Sequence, residues 1–255
     1  MEEKEIKERI RNGRNFMKFR AEDEYSDFMS DQQLKKPQPP LCKEKSSECV
    51  IPLSKDFDAL NISKDFTTIL MERKSSRVYT QHAMTLLQLS YLLYMTQGVK
   101  EIKGENYATM RTVPSGGARH GFETYLIVNH VEGLKAGRYH YLPLTHELEY
   151  LGSIKQAENI IDETLVGQKW AVKANVIFYW SFVAYRCEWR YGIYAHRPAL
   201  IDAGHVGENL YLACSALGLG TCCLAAFDDH SCNETFKLDG EEEFVVYAAP
   251  VGTID

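Results

Sequence analysis

The sequence Asn175-Val-Ile-Phe-Tyr-Trp-Ser-Phe-Val183 decides the fold of this 255-residue chain. Its apolar residues form an almost unbroken run of β-formers, which is typical of a central strand buried on both faces. Residues 198–217 follow, with leucine, alanine, glycine and cysteine recurring at spacings of three and four, which predicts a buried helix. Pro198 is well placed to begin that helix, and Gly218 and Gly220 to end it. A central strand and one close-packed helix therefore form the predicted core.

Further helices and strands surround this core without a regular repeat. The predicted helices cover residues 2–19, 85–97 and 154–168, and the globular part begins at residues 66–71. The further predicted strands cover residues 124–129, 137–142 and 244–249, and residues 109–121 form a loop. The hairpin-like pair in the middle indicates an α+β domain rather than a regular α/β repeat.

The first 50 residues differ from the rest because 22 of them are charged and three prolines cluster at positions 37, 39 and 40. We expect residues 1–52 to form a helix and an extended arm, and residues 53–255 to form the folded domain. The arm carries apolar anchors, which favours wrapping around a neighbour, as across a dimer. These anchors are Phe16, Phe19, Tyr25, Phe28 and Met29.

Composition narrows the class of function. A net charge of −6 gives no electrostatic case for a nucleic-acid partner. The longest uncharged run, residues 209–227, is broken by Gly-Leu-Gly, so we expect no membrane span. The seven cysteines include no C-x-x-C pair and the eight histidines lack ligand spacing, so no metal site is predicted. The charged N-terminus does not resemble a signal peptide, and a reducing cytoplasm is expected.

Three stretches are candidates for binding. Arg73-Lys-Ser-Ser-Arg77 places three cations and two hydroxyls within five residues. A guanidinium fork suits a phosphate, and on a helical turn Arg73 and Arg77 would share one face. The alternative is a solvated charge cluster.

The other two stretches are rich in small residues. In Pro114-Ser-Gly-Gly-Ala-Arg119 the glycines let the backbone approach a planar ligand, although a plain turn has the same composition. Gly218-Leu-Gly-Thr-Cys-Cys-Leu-Ala-Ala-Phe227 could present backbone N–H groups to a ligand edge, or it could simply be core.

Taken together in this order and spacing, the three stretches resemble the flavin-dependent nitroreductase superfamily. The chain looks most like its SagB-type dehydrogenases, which include the thiazole/oxazole-forming oxidases of peptide biosynthesis. Supporting matches are Phe16-Met-Lys, Ala199-Leu-Ile-Asp-Ala-Gly-His-Val-Gly-Glu-Asn-Leu210 and Pro250-Val-Gly252. The resemblance implies an α+β homodimer with a mostly antiparallel central sheet flanked by helices. It also implies non-covalent FMN bound at the dimer interface.

The resemblance also implies which residues bind FMN. Those matching the element that holds the phosphate and ring edge are Arg73, Lys74, Ser75 and Arg77. Those matching the loop that covers the isoalloxazine, usually from the partner subunit, are Pro114, Ser115 and Gly116. Gln168 lies near the position that contacts the pyrimidine side of the ring. Those matching the stretch whose N–H groups approach flavin N5 and O4 are Leu224, Ala225 and Ala226. Relatives carry a basic residue near the C-terminus that this sequence lacks, and Arg119 or Lys74 would replace it.

A final match concerns catalysis. The azoline-oxidising relatives carry a Lys-Tyr pair that corresponds here to Arg190-Tyr191. Arginine stays protonated and is a poor general base, whereas Tyr191 could act as an acid or orient a substrate. The alternative for both is a structural pair beneath the flavin. The expected function is an FMN-dependent oxidoreductase with NADH or NADPH as candidate donor. An azoline-to-azole dehydrogenase and a non-catalytic flavin-binding or storage protein remain alternatives.

Overall fold

A computed structural model of the chain describes residues 3–18 and 27–255. The α-helices of this part are α1 (Glu3–Phe16), α2 (Phe66–Glu72), α3 (Leu86–Gln97), α4 (Ala157–Thr164), α5 (Ala184–Tyr191), α6 (His196–Leu217) and α7 (Asp229–Phe236). Its strands are β1 (Val50–Pro52), β2 (Val99–Lys103), β3 (Ala108–Arg111), β4 (Phe122–Val128), β5 (Gly137–Leu142), β6 (Glu147–Gly152), β7 (Val176–Val183), β8 (Leu219–Thr221) and β9 (Glu243–Thr253).

The main sheet has seven strands in the order β1-β6-β5-β4-β7-β9-β8, and every neighbouring pair is antiparallel. Strand β7 lies between β4 and β9 and is buried at each position except Val183. Strands β2 and β3 form a separate hairpin. The predicted α+β class, with a mostly antiparallel sheet and a central strand at residues 175–183, is confirmed.

Helices cover both faces of the sheet. Alternate residues of β7 point to opposite faces, so Phe178 and Trp180 pack in one core with α3 and α6. Ile177 and Tyr179 pack in a second core with α4 and α7. The run of β-formers in β7 is continuous because both faces are covered by helices.

Helix α6 approaches the sheet closely. A Cβ added at Gly207 would lie 2.6 Å from the ring of Tyr247 on β9, so a larger residue there would displace that ring. The helix begins at His196, so Pro198 occupies its third position, where its missing N–H costs no intrahelical bond. It ends at Gly218, which adopts the left-handed conformation with φ 66°.

Other predicted boundaries shift, and several elements were missed. Helix α3 matches residues 85–97, with Thr85 and Gln88 forming a capping box. Helix α4 stops short of residue 168 because Val166 and Gly167 have positive φ. Residues 109–111, predicted as loop, belong to strand β3. The elements absent from the sequence prediction are β1, β2, β3, β6, β8, α5 and α7.

The N-terminal segment has two different parts. Helix α1 has no buried residue, and Ile6, Ile10 and Phe16 on it are exposed. By contrast, β1 pairs with β6, so residues 50–52 join the main sheet of the same chain. Wrapping of the arm around a partner stays a prediction. Phe19 and Tyr25, two of the anchors in that prediction, lie outside the described residues, as does Glu2 at the start of the predicted helix.

Buried charges fix the second part of the arm. Glu123 of β4 accepts hydrogen bonds from the Lys43 N–H at 2.8 Å and from Arg186 at 2.5 Å. Glu149 of β6 accepts from the N–H groups of residues 46 and 47, at 2.7 and 2.9 Å. His140 lies between these two carboxylates, at 3.0 and 2.7 Å. Residues 43–47 are therefore held against the sheet by its own acidic side chains.

Within the described ranges, no helix is both long and apolar enough to cross a bilayer.

Candidate functional site

The stretch from Arg73 to Arg77 leaves helix α2 and runs extended beside β8. Arg73 caps the C-terminus of α2, and Ser75 forms a parallel bridge with Thr221. The N–H of Ser76 donates to the Thr221 carbonyl at 2.8 Å. The segment is not a helical turn, so the face that such a turn would give Arg73 and Arg77 in common is not formed. The segment is extended where it bridges Thr221, and Arg73 and Ser75 both contact Tyr211 of α6.

Aromatic rings lie beside these cations. The Arg73 guanidinium lies 5.1 Å from the centre of the Tyr211 ring, and that of Arg77 lies 5.8 Å from the Trp170 ring. In the part of the chain that the structure describes, neither arginine nor Lys74 forms an ion pair with a carboxylate. Cations held in place but left without an anion are available to a phosphate.

A cavity of about 260 Å³ adjoins this segment. Its wall includes Lys64, Arg73, Lys74, Ser76, Tyr211 and Thr221. Lys64 is already paired with Glu72 at 2.8 Å, so the unpaired positive charge comes from Arg73 and Lys74. This cavity can hold a phosphate group and part of a sugar chain. It is too small to hold a three-ring system in addition.

Tyr211 of α6 joins two of the predicted stretches. Its hydroxyl lies 3.0 Å from the Ser75 hydroxyl and accepts a hydrogen bond from the Cys223 N–H, also at 3.0 Å. Burial raises the pKa of Tyr211, which keeps the phenol protonated. Its proton can then go to Ser75, which leaves the serine proton free for a ligand. Sequence reasoning missed Tyr211, because nothing local distinguishes it from a core aromatic residue.

The stretch after Cys223 is only partly free to meet a ligand. The Leu224 N–H donates to the Ala248 carbonyl at 2.7 Å, so this predicted donor is already used within the sheet. Ala225 and Ala226 are exposed. The side chain of Gln168 donates to the Ala226 carbonyl at 3.1 Å. Gln168 therefore lies beside the stretch of residues 224–226. Within that stretch, Ala225 and Ala226 are accessible to a ligand.

The Pro114-Ser-Gly-Gly loop is held at another point on α6. The Gly116 N–H donates to both carboxylate oxygens of Asp202, at 3.1 and 3.2 Å. Ser115 accepts from the His120 N–H at 2.9 Å, and Pro114 is exposed. Asp202 was not predicted as a site residue, because the loop that it binds lies 86 residues away in sequence.

This loop packs directly on the predicted catalytic pair. Gly117 has φ 57°, and a Cβ added there would lie 2.5 Å from both the Arg190 Nε and the Tyr191 hydroxyl. Only glycine therefore allows the loop to lie against α5. Loop and pair are brought together within one chain, as a unit.

Arg119 has a structural position. It is 3% exposed, donates to the carbonyls of Gly117 and Tyr107 at 3.1 and 2.8 Å, and lies between the rings of Tyr107 and Trp189. Its guanidinium holds the loop in place. The structure therefore gives no support to Arg119 as a substitute phosphate ligand, and Lys74 remains as the candidate.

Arg190 reaches across to the β2–β3 hairpin. Its Nη1 donates to the Tyr107 hydroxyl at 2.8 Å, and its guanidinium lies 5.6 Å from the centre of the Tyr191 ring. Tyr107 also lines an open groove of about 940 Å³. Other groove residues are Pro39, Leu41, Ile102, Pro143 and Leu144. Neither Tyr107 nor the groove was predicted.

The predicted site residues thus fall into two groups along α6. Tyr211 touches the segment of Arg73 to Arg77, and Asp202 touches the Pro-Ser-Gly-Gly loop. At 1.5 Å per residue these positions are about 13 Å apart along the helix. A single chain therefore presents the two groups side by side rather than in one pocket.

A model described as the nitroreductase family matches residues 70–253. Nitroreductase MJ1384 of Methanocaldococcus jannaschii is 30% identical over 184 residues, which cover 72% of this chain and 88% of that protein. The microcin B17-processing protein McbC of Escherichia coli is 27% identical over 138 residues. That match spans 51% of this chain and about half, 49%, of McbC.

A similar fold is seen in the crystal structure of a nitroreductase from Ralstonia eutropha JMP134. The TM-score is 0.64 at 24% identity, with 86% of this chain and 94% of that chain covered. This likeness concerns the fold alone.

Proposed function

Since the chain belongs to the nitroreductase family, we propose that it is an FMN-dependent oxidoreductase that passes hydride through flavin N5 to or from a small molecule or a modified peptide. The observation that carries the proposal is the segment of Arg73 to Arg77, where cations are held on aromatic rings without a carboxylate partner. FMN brings the redox chemistry, and the protein binds and orients it.

The segment fits the phosphate end of FMN. Arg73, Arg77 and Lys74 offer positive charge to a dianion, and Ser75 offers a hydroxyl proton because Tyr211 can donate to its oxygen. Charge-assisted hydrogen bonds contribute roughly 1.5–3 kcal/mol each. Two such bonds would account for much of a tight site. Ala225 and Ala226 would lie toward the ring edge, with Gln168 beside them.

A homodimer would complete the site. The Pro-Ser-Gly-Gly loop lies away from the phosphate segment of its own chain, so in this proposal the loop covers the isoalloxazine of a second copy. Exposed apolar residues on two helices support this assembly. These are Phe66 and Met71 on α2, and Leu200 and Ile201 on α6.

The purified protein tests the proposal. We expect a visible flavin spectrum after FMN supplementation, a higher melting temperature with FMN, and bleaching by NADH or NADPH followed by reoxidation with a quinone or nitroaromatic. Absence of both flavin absorbance and the thermal shift would refute the proposal. Flavin binding without turnover would identify a storage protein instead.

A second candidate function is azoline-to-azole dehydrogenation. It is favoured by the similarity to a microcin B17-processing protein and by the groove beside Tyr107, which can hold several residues of an extended peptide. Incubation with an azoline-containing peptide should then remove two mass units. An unchanged mass, under conditions where an azoline-oxidising relative converts the same peptide, would exclude this candidate.

We place the reaction in the cytoplasm, which accords with the seven cysteines all being free thiols.

A further inference from the structure

The phenol of Tyr107 has an unusual set of partners. Tyr107 directly precedes β3 and is 42% exposed. Its oxygen accepts hydrogen bonds from Arg190 Nη1 at 2.8 Å and from Gln32 Nε2 at 2.9 Å. These donors come from α5 and from the arm. Two remote segments thus converge on one exposed hydroxyl.

The two donors leave the phenol with a defined role. A tyrosine hydroxyl has two acceptor positions and one proton. Arg190 and Gln32 fill both acceptor positions, so the proton is directed to a third partner. No such partner is present among the described residues, and the groove of about 940 Å³ lies alongside.

The surrounding charges favour the phenolate. Burial raises the pKa of Tyr107, but the hydrogen bond from Gln32, the charges of Arg190 and Arg119 and the hydrogen bond from Arg190 outweigh it, and the pKa falls below its ordinary value. The other charged residues that line the groove are Lys43, Glu44, Lys45, Glu105 and Glu147. They include two cations and three anions.

We propose that Tyr107 exchanges the proton with the substrate at this site, while Arg190 holds the phenol in place. This inference rests on the proposed oxidoreductase function. The inference also explains an arginine at position 190. Arginine stays protonated and cannot act as a base, but its fixed charge can orient the Tyr107 phenol, which exchanges the proton instead.

Reduction of a polarised double bond adds a hydride, with its two electrons, to one atom and a proton to its neighbour. The hydride comes from the reduced flavin of the proposed function. The O–H bond of Tyr107 breaks, the proton bonds to the substrate, and water in the groove reprotonates the phenolate. In the oxidative direction the phenolate takes up the proton as hydride leaves.

The first test needs no turnover. The protein is labelled with ¹³Cζ-tyrosine, and the resonance missing in Tyr107→Phe identifies Tyr107. We expect its titration midpoint to be higher in Arg190→Gln than in the wild type, because the cation that lowers the pKa of this phenol is removed. A midpoint at the ordinary tyrosine value that does not move in Arg190→Gln would overturn the proposal, whether or not the protein turns over.

The second test measures activity in the FMN-loaded protein. Tyr107→Phe should lower kcat by about 100-fold with little change in KM, and the fall in rate at alkaline pH should disappear. Tyr185→Phe is the matched control. This variant also removes a phenol hydroxyl that contacts the arm, since Tyr185 on α5 donates to Asp31 at 2.8 Å. It should keep the wild-type rate.

The outcomes separate the two proposals. A Tyr107→Phe protein with wild-type kcat and pH profile would refute the role of Tyr107 and leave the oxidoreductase intact. A wild type that binds flavin but passes no electrons would refute the oxidoreductase and the proton-transfer role together.

Discussion

Arg186 and Arg73 show two ways in which this chain uses a guanidinium. Arg186 is 4% exposed and donates to Glu123 and to the carbonyls of Pro40 and His120. Arg73 is half-buried, lies on the Tyr211 ring, and forms no ion pair with a carboxylate in the described residues. A buried charge is tolerated only when its partners are supplied internally. A positioned charge without an anion remains available to a ligand.

The same division extends to neighbouring arginines. Arg111 is buried and donates to Gln97 at 2.8 Å, to Thr109 at 3.1 Å and to the Leu41 carbonyl at 3.3 Å. Arg111 thus ties the arm to α3 and the β2–β3 hairpin, as Arg186 ties the arm to β4. Arg77 resembles Arg73, because its guanidinium lies on an aromatic ring. The fold therefore depends on the buried arginines, and the proposed ligand on the accessible ones.

The largest effect should come from the buried set. Arg186→Met keeps much of the side-chain volume but removes the guanidinium that pairs with buried Glu123, and we expect the free energy of unfolding to fall by about 3–5 kcal/mol. Urea denaturation measures it. Arg77→Met, the control with the same chemical change at an exposed position, should stay within about 0.5 kcal/mol of the wild type. An equal loss of unfolding free energy in the two variants would show that buried and accessible arginines contribute alike to the stability of the fold.

The next effect concerns the accessible set. Arg73→Ala should weaken FMN binding by about 10- to 100-fold, since one charge-assisted hydrogen bond to phosphate is lost. Quenching of flavin fluorescence gives the dissociation constant. Lys103→Ala removes the same charge from an exposed lysine paired with Glu101 at 2.6 Å, so it controls for the change in net charge. An unchanged affinity in Arg73→Ala would mean that the phosphate binds elsewhere.

The sequence predicts those features of the fold and of the candidate site that depend on local residue pattern. The run at 175–183, the periodicity of α6 and the composition of Arg73 to Arg77 all carry local signals. The conformation of that cation segment depends on its bridge to Thr221, which lies far away in sequence, so local pattern does not predict it. Tyr211 and Tyr107 act through partners 136 and 83 residues away. No local pattern encodes such pairings.

A buried histidine should likewise carry a charge only where a carboxylate lies beside it. The dependence of stability on pH tests this for His140 and His146. Burial opposes the charge of His140, but Glu123 and Glu149 raise its pKa. His146, 2% exposed, contacts the hydroxyls of Ser90 and Tyr141, and burial lowers its pKa to about 4.

His146 should therefore make the fold sensitive to acid. The unfolded chain takes up this proton near pH 6.5, whereas the folded state takes it up only near 4, so stability is full above pH 6.5 and falls as the pH drops. At pH 5 this residue should lower the free energy of unfolding by about 1–2 kcal/mol relative to pH 7. His146→Gln should show a shallower decline. It will not be flat, because burial also lowers the pKa of His120, to about 3.

The measurement is urea unfolding of wild type and His146→Gln at several pH values. His140→Gln is the contrasting variant. Removing a group with a raised pKa takes away stability that is present below pH 6.5 and lost at higher pH, so this variant should be weakened more at pH 6 than at pH 9. Parallel pH curves for all three proteins would show that partners do not decide which interior groups carry charge.

The smallest effect tests how the accessible set is held. Ser75→Ala should weaken FMN binding by about 3- to 10-fold, the value of one ordinary hydrogen bond. Tyr211→Phe should act in the same direction, because its hydroxyl then no longer turns the serine proton toward the ligand. If the two hydroxyls act as one unit, the double variant should bind FMN about as weakly as Ser75→Ala alone. Independent, additive losses would mean that Tyr211 supports the Arg73 guanidinium rather than the Ser75 hydroxyl.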